Sequence, residues 1–273
     1  MKFIAIINAI LCVNAVIAAP FTELRRERRT FRQRTRAVPN KHSLPPLNVT
    51  AADVNGPFGN DIKAQYSTNW AGAVLTGSGY KTVTGTIVVP TPQEPSDSSS
   101  GTQYAASAWV GIDGDTCQSA ILQTRVDFYI ENGQASYDAW YEWFPNYAYN
   151  FDGFTVNAGD TIKITVAAKS TSSGTAIINN LSTGQKVSHS FSGESSNLCE
   201  TDAEWIIEDF SSGTSLVPFA DFDTVTFIDA SVTTTDGTTL GVTGATILDI
   251  RQSGNVLTDC STSGDSTVTC RYV

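Results

Sequence analysis

A carboxylate and a carboxamide held on one surface can together drive water onto an acyl carbon. Two segments of this chain offer that pair. Residues 108–128 read AWVGIDGDTCQSAILQTRVDF and residues 203–210 read AEWIIEDF. Both alternate as strands do, and each carries a polar residue that a buried strand would normally avoid: Gln123 in the first, Glu208 in the second. An ionised glutamate can take a proton from water and later return it to a leaving group. The N–H groups of a glutamine do not titrate, so they can donate to an oxyanion at low pH, where a histidine would be fully protonated. Two neighbours compete for these roles. Gln118 lies an odd number of residues from Gln123 and would face the other way along an unbroken strand. Glu204 shares the face of Glu208, so parity leaves it as an alternative.

Other chemistries have little to work with. From Gln65 onward there is one histidine, His189, in the alternating string KVSHSF, where it reads as a satisfied surface residue. No H-E-x-x-H or histidine cluster suggests a catalytic zinc, and the cysteine spacings do not suit one, so neither metal nor cofactor is expected. No G-x-S-x-G elbow occurs, and a Ser-His-Asp triad would rest on His189 alone. Asp-Thr-Gly and Asp-Ser-Gly are absent as well; the nearest strings begin at Asp115, Asp160 and Asp223. Carboxylate chemistry remains.

The elements that must position these groups are strands. Residues 65–273 are rich in Thr, Ser, Val, Ile and aromatics, with Gly-containing turns at short intervals. Strands are predicted over 69–75, 82–89, 107–113, 120–130, 135–144, 160–168, 175–180, 186–191, 203–210, 224–230, 246–251 and 268–272. No helical period persists. The fold class is all-β, an antiparallel two-sheet sandwich. Along 120–130, Leu122, Thr124, Val126, Phe128 and Ile130 share the apolar side, while Ile121, Gln123, Arg125, Asp127 and Tyr129 share the other. Asp138, Trp140, Glu142 and Phe144 align on the next strand; Ser107, Trp109, Gly111 and Asp113 on the one before; Glu204, Ile206, Glu208 and Phe210 on the last. One face is thus apolar, and the opposite one mixes acids with large aromatics, as a groove for an extended polymer would.

The rest of the chain frames this domain. Lys2, the apolar run 3–17 and Ala18-Ala19 before Pro20 read as a secretory signal over 1–18, too short to span a membrane. Residues 19–64 read as a basic pro-segment. Nine basic residues stand against four acidic ones between 20 and 64, about +5, whereas from Gln65 onward seven basic face 23 acidic, about −16. Charge would dock this segment on its own domain near neutrality and release it as carboxylates protonate. A secreted route sets nucleic acid aside as a partner. Cys12 leaves with the signal, and the remaining four allow three pairings. Cys260 and Cys270 bracket a hairpin and favour a local bridge, leaving Cys117 with Cys199. Asn48 and Asn180 stand in N-x-S/T sequons. The polar loop around 91–101 is a candidate for excision, which would leave two chains of one monomer.

The strings STNWAGAV, AWVGIDGDTCQSAILQT, YDAWYEWFP, LSTGQKVSHSF and AEWIIEDF resemble the eqolisins, fungal glutamic peptidases, over essentially all of residues 66–273. The resemblance implies a concanavalin A-like sandwich and an acid endopeptidase that acts on proteins or peptides and is insensitive to pepstatin. It implies catalysis by Gln123 as oxyanion donor and Glu208 as base and acid, and a Cys117–Cys199 bridge. It also implies a cleft containing Trp109, Asp113, Asp127, Asp138, Trp140, Glu142 and Phe144. Phe144 departs from the tyrosine of the scytalidoglutamic type and lacks its hydroxyl. The residues alone leave two alternatives: a sandwich glycoside hydrolase using two of Asp127, Glu142 and Glu208, or a lectin-like binding module.

Overall fold

A computed structural model of the chain describes residues 41–42, 44–51 and 64–273. The signal reading of residues 1–18 and most of the pro-segment reading of 19–64 fall outside the described residues. Each predicted strand forms, with ends moved by a few residues. Among the described residues there is no helix.

Two large sheets pack face to face. One runs, in spatial order, Thr50–Ala51, Ala64–Ser67, Thr246–Gln252, Trp70–Thr76, Asp202–Glu208, Tyr104–Ile112, Ile121–Glu131, Gln134–Phe144 and Tyr149–Asn150. The other runs Lys186–Ser192, Ser173–Asn180, Thr161–Ser170, Tyr80–Val88, Thr224–Thr234, Thr267–Tyr272 and Thr258–Ser263. Neighbours are antiparallel, except that Thr246–Gln252 runs parallel to Ala64–Ser67. The core lies between the sheets. Leu122, Val126, Phe128, Trp143, Trp205 and Ile207 from one meet Val83, Ile87, Ile164, Val166, Ile178 and Phe227 from the other. Side chains of this size contribute about 1.5–3 kcal/mol each when taken out of water.

Local chemistry fixes how strands pair. Asn132 and Gly133 both have positive φ, 51° and 69°, which is the two-residue turn that an Asn-Gly pair favours. That turn sets Glu131 against Gln134, and the ladder then places Gln123 opposite Glu142, Arg125 opposite Trp140 and Asp127 opposite Asp138. A slip of one residue would turn all of them to the core. At Gly72, φ is 139° and a Cβ would lie 2.1 Å from the Trp205 carbonyl oxygen, so only glycine lets these two strands approach.

The cysteines pair as Cys117–Cys199 and Cys260–Cys270, spanning 82 and 10 positions. Asn180 is buried and its side-chain nitrogen donates to Asp160 and to the Thr155 carbonyl, so the atom a glycan would use is committed to the fold. Asn48 is exposed. The loop after Pro90 is anchored by paired backbone hydrogen bonds between Gln93 and Asp221, while residues 96–101 are exposed.

Candidate active site

The outward face of the larger sheet carries the polar set. Its apolar floor is a cluster of Trp70, Val74, Trp109, Ile121, Ile206 and Leu248, with Phe144 packed against it. Trp70 and Trp109 meet edge to face, ring centres 4.8 Å apart. The ladder gives this face three rows across its central strands. Glu208, Ser107, Asp127 and Asp138 form one; Ile206, Trp109, Arg125 and Trp140 the next; Glu204, Gly111, Gln123 and Glu142 the third.

Glu208 is fully buried. Its Oε2 accepts from Trp109 Nε1 at 3.0 Å and from Arg125 Nη1 at 2.8 Å. Gln123, 1% exposed, donates from Nε2 to Glu142 Oε2 at 3.2 Å, and its Oε1 has no hydrogen-bond partner. Gln123 and Glu208 stand two rows and two strands apart, on the order of 17 Å between backbones at ideal sheet spacing. Their side chains rise from the same face and flank the space between them. Arg125 lies there, its guanidinium 3.4 Å from the Trp140 ring centre and 5.0 Å from that of Phe210, with Nε 3.4 Å from Asp127 Oδ1. Tyr129 donates to Asp127 Oδ2 at 2.7 Å. Beyond Phe210 and Tyr129 the face continues into a cavity of about 320 Å³, bordered also by Gln103, Leu216 and Val217.

Most of the residues expected in the cleft gather here: Trp109, Asp127, Asp138, Trp140, Glu142 and Phe144 share the face with Gln123 and Glu208. Asp113 does not join them. The strand expected to run through it stops at Ile112, and Asp113 turns to a positive φ of 66°. Its carboxylate accepts from the backbone N–H groups of Cys199, Glu200, Thr201 and Asp202, at 2.7–3.2 Å. It therefore anchors the loop that carries the Cys117–Cys199 bridge. Both competing residues separate clearly. Gln118 is exposed in a loop and donates to the Asp115 carbonyl. Glu204 is buried, and its Oε1 accepts from the Asp115 N–H. Burial first, then the charges of Asp202, Asp115 and Asp113, raise its pKa well above the ordinary value. His189 stacks on Tyr141 with ring centres 4.0 Å apart and planes 7° from parallel.

Arg125, Trp70 and Asp209 were not singled out by the sequence. Parity had put Arg125 on the right face, but nothing in the string QTRVDF names its partner 83 positions away. Asp209, next to Glu208 in the chain, is buried, with Oδ2 accepting from Gln252 Nε2 at 2.7 Å.

Residues 68–272 match the family model for the peptidase A4 family. The chain belongs to the peptidase A4, or eqolisin, family. It is 51% identical to aspergillopepsin-2 of Aspergillus niger and 44% identical to scytalidopepsin B of Scytalidium lignicola, each alignment covering 100% of both proteins. The crystal structure of scytalido-glutamic peptidase with a transition state analog inhibitor superposes with a TM-score of 0.68 at 49% identity, covering 76% of this chain and 98% of that one. As an eqolisin the chain is a peptide-bond hydrolase, and the carbohydrate-active alternatives are set aside.

Proposed function

We propose that this eqolisin hydrolyses proteins in acid through Gln123 and Glu208. Ionised Glu208 takes a proton from water as the water oxygen attacks the substrate carbonyl carbon. The tetrahedral oxyanion accepts a hydrogen bond from Gln123 Nε2, which has two N–H groups and uses one on Glu142. Protonated Glu208 then gives its proton to the departing amine as the C–N bond breaks. The observation that carries this reading is that a buried glutamate and a buried glutamine amide rise from one face of the same sheet. The nearest alternatives are committed elsewhere: His189 to an aromatic stack and the mature cysteines to disulfides.

The proposal extends to the chain's life history. Residues 1–18 direct secretion, and residues 19–64 inhibit the domain until acid releases them. Support comes from the described part of that segment. Leu47 and Asn69 are joined by a 2.7 Å hydrogen bond from the Leu47 N–H to Asn69 Oδ1, and Asn69 Nδ2 donates to the carbonyls of Leu44 and Pro45. Asn69 immediately precedes Trp70 of the site floor. Asp127, Asp138, Trp140, Glu142 and Phe144 line the substrate cleft of the released domain, a monomer or a two-chain form nicked at 96–101.

The test is digestion of casein or haemoglobin at acid pH with pepstatin present. Cleavage should persist, Glu208→Gln should abolish it, and Gln123→Ala should lower it by about 10²–10³. Full activity in either variant sinks the dyad. A separately added peptide of residues 20–64 should inhibit near neutrality; no inhibition rejects the pro-segment reading.

A further inference from the structure

We propose that Arg125 is a positioning residue for Glu208, keeping its carboxylate ionised and aimed so that a base is present in stronger acid than an unassisted glutamate would allow. This rests on the dyad reading above.

Arg125 is only 1% exposed, and a buried guanidinium is costly unless it is paired. Its pairing is specific. It lies on the Gln123 strand, yet its Nη1 crosses the intervening strand to reach Glu208 Oε2 at 2.8 Å. The residue that pairs with both Asp127 and Glu208 in that row is Ser107, small and fully buried, over which the longer side chain can pass. Trp140 beneath and Phe210 beside the guanidinium hold its plane through stacking and cation–π attraction. An arginine placed merely to neutralise acids would not need this aromatic seat.

The surrounding charge explains why Glu208 needs the partner. The charged or titratable groups that share its face or adjoin it are Glu204 on its own strand, Arg125, Asp127 and Tyr129 two strands away, Asp138 and Glu142 on the strand beyond, and Asp209 next in the chain. Five of these seven are carboxylic acids, and burial also favours the neutral form of a carboxyl group. Against them stand Arg125 and the Trp109 indole N–H, both of which bond the carboxylate. Arginine remains charged at every working pH, so its effect persists in acid while neighbouring acids protonate and cease to oppose it. A protonated Glu208 could not accept the proton of the attacking water.

The experiment compares kcat/KM against pH for the acid-activated full-length protein and its Arg125→Gln, Arg125→Lys and Glu208→Gln variants, using a quenched peptide substrate. Arg125→Gln should move the acid limb upward by about one unit or more, a roughly tenfold extra loss on that limb. Arg125→Lys, which keeps the charge but loses the planar fork, should leave the limb within about half a unit and lower kcat instead. An unmoved limb in Arg125→Gln overturns the inference, as does an equal shift in Arg125→Lys. Should Arg125→Gln not fold, direct titration of the Glu208 proton decides alone. The infrared difference between wild type and Glu208→Gln reads the Glu208 proton directly; a midpoint at or above the ordinary glutamate value of about 4.3 also overturns it. Activity in Glu208→Gln instead rejects the dyad itself.

Discussion

Gln123 lies directly across the ladder from Glu142, and its amide nitrogen donates to Glu142 Oε2 at 3.2 Å. The Asn132-Gly133 turn, nine and ten residues further along, dictates that pairing. A carboxylate can only accept from Gln123, so it selects which end of the amide faces it and leaves the second N–H of the same nitrogen to point elsewhere. The proposed oxyanion donor is thus oriented by its cross-strand neighbour.

Glu142→Ala should therefore lower kcat by about 10–100-fold, less than outright loss of the donor, with a smaller change in KM. An amide that must reorient is lost mainly from the transition state, where its bond to the oxyanion counts. Steady-state kinetics at the acid optimum would check this. A raised KM with unchanged kcat would instead make Glu142 a substrate-binding residue.

Asp113→Ala should destabilise the domain by about 3 kcal/mol or more, because four buried or half-buried backbone N–H groups lose a charged acceptor. Urea unfolding in a Gln123→Ala background, which prevents self-digestion, would measure it. Asp113→Asn, retaining one acceptor oxygen, should cost less. A folded, equally stable Asp113→Ala with a raised KM would return Asp113 to the cleft.

Much of this arrangement was readable in the chain, and the unreadable part has a common cause. Alternation along Ile121–Tyr129 put Gln123, Arg125 and Asp127 on one face, because side-chain direction in a strand depends only on parity. The Cys260–Cys270 hairpin followed from spacing. Strand order does not follow from either rule. The Glu208 strand enters the sheet between Trp70–Thr76 and Tyr104–Ile112, and that placement alone brings Arg125 within reach of Glu208. The surroundings of Asp113 were hidden for a related reason. Parity assumes an unbroken strand, whereas the backbone leaves the extended region at Asp113 to let its carboxylate receive the loop at 199–202.

Stability should fall as pH rises from about 4 to 8, and Asp209 should account for much of the upper part of that fall. Burial, reinforced by the charge of Glu208 and opposed by the hydrogen bond from Gln252, raises Asp209 to about 8. Burial likewise raises Asp249 to about 7, and burial with the charge of Asp202 raises Asp115 to about 6. An acid whose pKa is raised in the folded state keeps its proton there after the unfolded chain has lost it. Unfolding then releases protons, so the stabilisation is complete below the unfolded value near 4 and is lost as pH climbs to the folded value. For a well-buried carboxyl the loss approaches about 1.4 kcal/mol per pH unit across that window. Asn at position 209 cannot ionise, but its Oδ1 can still accept from Gln252. In the Gln123→Ala background, Asp209→Asn should raise Tm by several degrees at pH 7.5 and leave it nearly unchanged at pH 3.5. Calorimetry at the two pH values decides the matter: an equal Tm difference at both would mean that ionisation of Asp209 does not drive the loss.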